Sequence, residues 1–305
     1  MAESTPTHSD MTEKEFLANY DITQYAKPSL TSDIVLLSLL RDKPDADIKN
    51  IDVHALQILL IKRASHPFKN EWALPGGFCR PSETVYETAK RELFEETNIK
   101  QAYLKLDGVY SNQNRDPRGW IISNAWLGLI DRFQCDLRAD TDAWEAEWFT
   151  IESIKSAITL VTTQVTEYNH QITLRSEITD VTLTAVITET ITCVGTTYES
   201  TYQTLHSDLA FDHGEIILQT LLNFKDEIKE DIRPLFNLLP VEFTLGELQT
   251  SYELLLGEKS QNFRRKIAPY VTETNKFAEI RGYRPTKLFK RNNIMFKYRR
   301  NECQN

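Results

Sequence analysis

The stretch GFCRPSETVYETAKRELFEETNI, residues 77–99, decides how this 305-residue chain is read. It follows a Leu74-Pro75-Gly76-Gly77 turn, where paired glycines let the backbone bend tightly or lie close against another group. Its specified positions are Gly77, Glu83, Arg91, Glu92, Leu93, Glu95, Glu96 and Ile99, in the pattern G-x5-E-x7-R-E-L-x-E-E-x-N-I. Ser82 reads as the N-cap of a helix running to about Thr97, with Glu83 in the first turn, where the helix dipole favours an acid. Glu92, Glu95 and Glu96 stand at i, i+3 and i+4, within an arc of about 100°, so their carboxylates are expected to converge. Crowded like charges repel unless a cation offsets them, and hard oxygen donors suit Mg2+ or Mn2+ bridged to a phosphate. The expected metal ligands are Glu92, Glu95, Glu96 and the Gly77 carbonyl, and the expected catalytic set is Glu83, Arg91, Glu92 and Glu95. A solvated, glutamate-rich surface helix is the bland alternative, and eight specified positions after a glycine turn argue against it.

Around this stretch, β-branched and aliphatic runs predict strands at 34–40, 56–61, 104–110, 120–130 and 147–150. A short helix is predicted at 151–157. Residues 160–204 alternate threonine with apolar partners, which implies an added hairpin or small sheet whose edge is free to pair between subunits. Helical periodicity returns with Ile216, Ile217, Leu218, Leu221, Leu222 and Phe224. A connector with two prolines at 231–240 precedes Thr244-Leu245-Gly246-Glu247, a capping box that opens a helix ending at Gly257. A short basic helix is predicted at 261–270.

Apolar residues make up 41%, enough for a sizeable core, and the length allows two domains. The four widely spaced cysteines argue against a disulfide framework or a structural zinc, and a soluble cytoplasmic protein without a membrane span is expected. The net charge of −9 hides an asymmetry. Residues 259–300 carry 13 Lys or Arg against two acids, a local balance of +11 that leaves −20 on the remainder. An acidic body with a basic end points to polyanion contact at one pole.

The 77–99 pattern resembles the Nudix box, G-x5-E-x7-R-E-U-x-E-E-x-G-U with U aliphatic. The resemblance implies a Nudix fold and metal-assisted attack of water on a nucleoside diphosphate linked to another group. One position departs: Asn98 replaces the glycine that ends the helix, and Asn is the next best residue for a left-handed backbone.

The segments Lys27–Thr31, Phe68–Leu74, Arg115-Asp116-Pro117-Arg118 and Leu209–His213 are similar to those of the Nudix-related transcriptional regulators of NAD metabolism, over roughly residues 16–157 and 206–292. That family implies the fold class: α+β, a Nudix α/β/α sandwich with a mixed sheet and a β-rich insertion, followed by a C-terminal winged helix-turn-helix domain. The expected division is a tail at 1–28, a Nudix domain at 29–230 and a winged helix at 231–305. The family recognises ADP-ribose, which implies ligand contacts from Arg63, Arg115, Arg118 and His213. Asn262, Arg264, Arg265 and Lys266 fall where a recognition helix belongs, and Arg281, Arg284 and Lys287 fall in the wing. Both are suited to double-stranded DNA. Two functions follow as expectations: an ADP-ribose-responsive regulator binding its operator as a homodimer, or an ADP-ribose pyrophosphatase yielding AMP and ribose 5-phosphate. The intact glutamate set keeps hydrolysis open within either.

Overall fold

Strands β1 (Ser29–Arg41) and β2 (Val53–Arg63) are apolar at nearly every position because both faces of the sheet are covered. Val35, Leu37 and Leu39, with Ile58 and Leu60, face one layer, while Ile34, Leu36 and Leu59 face the other. A computed structural model describes residues 11–41, 52–134, 143–176, 178–278 and 285–297. The remaining strands of the large sheet are β3 (Trp72–Ala73), β4 (Gly76–Phe78), β5 (Tyr103–Tyr110), β6 (Ile121–Leu129), β7 (Ala143–Val161), β8 (Val165–Ser176), β9 (Thr182–Val194) and β10 (Thr197–Ser207). Their order is β10-β9-β8-β7-β2-β1-β6-β5, with β3 on β2 and β4 on β1. The β1–β6 pair is parallel and its neighbours are antiparallel, so the sheet is mixed.

After a short helix α1 (Glu13–Asn19) ahead of the sheet, α2 (Val85–Thr97) covers the Ile34 face with Ala89 and Leu93, and α3 (His213–Glu230) covers the Val35 face with Ile216, Ile217, Leu221 and Phe224. This is the expected α/β/α sandwich. Beyond a 3-10 turn at Arg233–Leu238 come β11 (Glu242–Phe243), α4 (Leu245–Leu256), α5 (Phe263–Ile267), β12 (Val271–Ala278) and β13 (Thr286–Arg291). The three strands form a second sheet ordered β11-β13-β12, the pattern of a winged helix. Thr244 and Glu247 close the capping box on α4, and Gly257 ends it at φ 73°. The core of this module is continuous with that of the sandwich: Phe243, Leu248, Tyr252, Leu256, Phe263 and Ile267 share one apolar cluster with Leu37 and Phe224. Among the described residues no helix is long and apolar enough to cross a membrane.

Four local expectations are corrected. The helix at 151–157 does not form, because β7 runs straight through it and pairs with β8. Bulges between Ile151 and Ser153 and between Ile158 and Leu160 shift the alternation by one residue. Ile151 and Ile154 therefore share a face three apart, which mimics helical spacing. The Thr-rich segment is no separate sheet: β8, β9 and β10 extend the large sheet outward from β7. Helix α2 is capped by Thr84, whose side chain accepts from Glu87 N–H, so Ser82 and Glu83 lie before the helix. The basic helix at 261–270 is split into α5 and a 3-10 turn at Ala268–Tyr270 that contains Pro269.

The two modules are joined by buried charge. Arg41 of β1 makes a two-point bond to Asp131 at 2.9 Å and stands 3.6 Å from Glu247 in the first turn of α4. All three side chains are at most 5% exposed. Removing one member of such a group strands its partners in a low-dielectric interior. Arg41→Ala is expected to lower the unfolding free energy by about 3 kcal/mol or more in urea denaturation. A loss under about 1 kcal/mol would show that the charges are satisfied without it.

Candidate functional site

The 77–99 stretch folds as strand, loop and helix, and β4 is laced to α2 by its own box residues. Glu96 accepts the Gly76 N–H at 2.8 Å, and Arg91 donates to the Phe78 carbonyl at 3.1 Å. Gly77 lies so close to Glu92 that an added Cβ would sit 2.5 Å from Oε1. Ser32 Oγ of β1 donates to the Val85 carbonyl at 2.8 Å and fixes the start of the helix. Asn98 ends it at φ 60°, the left-handed cap that its substitution for glycine requires.

Arg91 organises the carboxylates. Its Nε and Nη2 bind Glu83 at 2.7 and 3.0 Å, and its Nη1 reaches Glu92 at 2.6 Å and Glu95 at 2.9 Å. Hydrogen bonding from Arg91 pulls the Glu83 pKa down to about 2. Burial pushes Glu92 up, and it pushes the deeper Glu96 well above the usual carboxylate range, with the Glu92 charge adding to the effect. The expected convergence is thus only partial. Glu83, Glu92 and Glu95 gather on Arg91, while Glu96 turns to Gly76, and among the described residues no three acids, histidines or cysteines are already placed as a metal cage. The donor types still fit a hard divalent ion, since two of the carboxylates carry unfavourable charge that a cation would relieve.

Beside the box lies a cavity of about 270 Å3 that brings together all four expected ligand residues, Arg63, Arg115, Arg118 and His213, with Gly76, Gly77 and Phe78. Arg115 is tied to Asp212 by two bonds of 2.7 and 2.8 Å, and Arg118 is tied to Asp116 by a pair that includes one of 2.7 Å. Arg63 and Arg118 stand over the Phe211 ring, at 4.8 and 5.2 Å from its centroid, and Arg118 also lies over Phe78. His213 accepts the Leu74 N–H at Nδ1, 2.9 Å away, and burial lowers its pKa to about 4, so the ring is neutral at pH 7. Asp33, Asp116, Phe78 and Phe211 also line this cavity and were missed in the sequence. The Leu209–His213 segment contained Phe211, but its left-handed backbone, φ 54°, was the missing clue. Glu145 and Glu147 of β7 do not line it. Glu145 pairs with Lys62 at 3.1 Å, and Glu147 is held by Ser176 and Thr179.

The NUDIX domain family matches residues 49–168, and the NrtR DNA-binding winged helix domain family matches residues 235–290. The chain joins a Nudix domain to an NrtR winged helix. It is homologous to the ADPR responsive transcriptional repressor NtrR of Acinetobacter baylyi, at 29% identity over 283 residues, 91% of this chain and 88% of that protein. An ADP-ribose pyrophosphatase of Methanocaldococcus jannaschii is 46% identical over 98 residues, 32% of this chain and 57% of that one. Among solved structures, a MutT/nudix family protein from Enterococcus faecalis superposes with TM-score 0.65 at 27% identity, covering 94% of this chain and all of that one. Shewanella oneidensis NrtR complexed with a 27mer DNA superposes with TM-score 0.52 at 23% identity, covering 86% and 93%, and supports the fold.

On the NrtR winged helix, Arg264 and Arg265 of α5 are exposed and make no ion pair among the described residues. Asn262 precedes them at φ 56° with no side-chain cap bond. Lys266 is turned aside: its ammonium lies 2.5 Å from the Tyr252 hydroxyl and over that ring. Lys287 of β13 pairs with Glu273 of β12. Arg281 and Arg284, expected in the wing, lie outside the described residues.

The depressed pKa of His213 has a measurable consequence. The unfolded chain takes up this proton near pH 6.5 and the folded chain only near 4, so stability is full above 6.5 and falls as pH drops toward 4. The expected loss reaches about 3 kcal/mol at the acid end. His213→Asn keeps an acceptor for Leu74 N–H without the titration. It is expected to flatten this part of a stability–pH curve, and an unchanged slope would refute the assignment.

Proposed function

We propose that this protein is an ADP-ribose-responsive transcriptional regulator of NAD metabolism, acting as a homodimer, whose Nudix domain retains Mg2+-dependent (or Mn2+-dependent) hydrolysis. The observation that carries the reading is the cavity beside the box, which places three arginines against the Gly76–Phe78 strand in a chain that also carries a DNA-binding module. The names of the repressor and pyrophosphatase relatives support ADP-ribose as the ligand.

In this reading Arg63 and Arg118, stacked on Phe211, receive the diphosphate and terminal ribose, while Arg115 is held in place by Asp212. His213, neutral and turned to Leu74, shapes the wall and carries no charge to the ligand. Glu92, Glu95, Glu96 and the Gly77 carbonyl would hold a divalent ion, whose chemistry is to polarise a phosphoryl oxygen and lower the pKa of a bound water. Arg91 holds Glu83, Glu92 and Glu95 together, so a change at Arg91 displaces several carboxylates at once. Among the described residues β10 ends the large sheet, and the part of its edge away from the β5 cleft supports pairing between two copies.

Two experiments test this. A gel-shift with promoter DNA at low salt should show binding that ADP-ribose alters, and no binding there ends the regulator reading. Replacing Arg264 and Arg265 by Ala should weaken binding and reduce the salt slope by about 2. Separately, purified protein with Mg2+ should cleave ADP-ribose to AMP and ribose 5-phosphate, at a rate reduced about a hundredfold or more in Glu96→Gln. Equal inertness of both proteins, with DNA binding intact, would leave a regulator without hydrolysis.

A further inference from the structure

We propose that the cleft where the two ends of the large sheet meet over α3 binds an organic cation, an ammonium or pyridinium group held by Glu215 and faced by Tyr110 and Tyr202. Strands β5 and β10 end the sheet on opposite sides, and its curvature brings Asp107–Tyr110 and Ser200–Tyr202 together above the α3 residues Glu215, Gln219 and Asn223. The space is about 380 Å3, the size of a site for an organic molecule.

Its lining has one sign of charge. Two carboxylates, Asp107 and Glu215, face the cleft, and among the described residues no Lys, Arg or His lines it. Cations on neighbouring segments are committed elsewhere: Arg115 to Asp212 at 2.7 Å and Lys105 to Glu227 at 2.8 Å. Asp107 receives one bond from Asn223 at 3.2 Å, and Glu215 receives one from Gln219 at 3.1 Å on Oε1. Among the described residues, neither Glu215 Oε2 nor the Tyr110 hydroxyl has a hydrogen-bond partner, although both residues are only 7% exposed. Neither atom is among the fully buried unpartnered ones, so both open onto the cleft, where a ligand can meet them.

The electrostatics agree with the geometry. Burial first, then the Asp107 and Glu215 charges, holds the Tyr110 hydroxyl above the usual phenol range. Burial and the Asp212 charge push Glu215 up to about 7. Both shifts report a space that disfavours negative charge and would be relieved by a cation. An anion such as a phosphate finds no counter-charge here and belongs in the arginine-lined cavity. A bare metal ion is a poor occupant, since among the described residues no three acids, histidines or cysteines gather to hold one. Two tyrosine rings beside a carboxylate instead suit a soft cation, which gains from both the charge and the ring faces.

The test uses the full chain and ligand-observed NMR titration with choline, with its uncharged isostere 3,3-dimethyl-1-butanol, and with N-methylpyridinium. At least one of the two cations should bind saturably, and the alcohol should bind about tenfold more weakly than choline. Glu215→Gln, which keeps the side-chain shape, should lose about tenfold in cation affinity, and Tyr110→Phe should lose less. Saturable binding of neither cation, saturable binding of the alcohol with the affinity of the cations, or wild-type cation affinity in Glu215→Gln would each overturn the proposal. Where Glu215→Gln fails to melt like the wild type, Asp107→Asn decides: weakened cation binding supports the site, and unchanged binding refutes it.

Discussion

The guanidinium of Arg91 is the interaction on which the site depends. It meets three carboxylates and a strand carbonyl at once, and so converts a run of like charges into the seam between α2 and β4. That seam closes only because Gly76 and Gly77 carry no side chain: a Cβ on Gly76 would fall 2.3 Å from the Ser32 carbonyl. Strand β4 pairs in turn with β1, at the centre of the sheet, through Thr31, Ser32 and Asp33. One side chain thereby fixes the floor of the arginine-lined cavity relative to the most buried strand of the fold.

The same architecture sets the distance between the arginine-lined cavity and the winged helix. Helix α3 begins with His213 in the cavity wall, and its last turn offers the Lys229 carbonyl to Lys266 of α5 at 3.4 Å. Its 18 residues span roughly 27 Å. A single helix, rather than a linker, therefore runs from the arginine-lined cavity to the neighbourhood of α5. The winged helix shares the apolar cluster of the sandwich and the Arg41 charge group, so the division between modules is one of sequence family and not of packing.

Much of this was legible in the chain. Periodicity and caps are local properties, so the box, the Asn98 cap, the Thr244 capping box and the strands at 34–40 and 56–61 could be read directly. What escaped was set by distance or by backbone irregularity. Arg115 meets Asp212 across 97 positions, and Asp33 joins the cavity through Ser123, so no local pattern announced either. The bulges of β7 disguised a strand as a helix, and Thr84 outcompeted Ser82 as the cap because Glu87, three residues on, completes a reciprocal bond. Carboxylate spacing on α2 gave the correct face but not the rotamers, which Arg91 and Gly76 decide.

The stack of Arg63, Phe211 and Arg118 has one more consequence. Long arginine side chains normally surrender considerable rotamer freedom when they grip a ligand, on the order of 1.5–2 kcal/mol each. Here Pro67 and Phe211 hold Arg63, while Asp116, Phe78 and Phe211 hold Arg118, so that freedom is already lost in the folded chain. The entropy cost of organising the cavity falls on folding rather than on recognition, leaving more of each contact to count toward affinity.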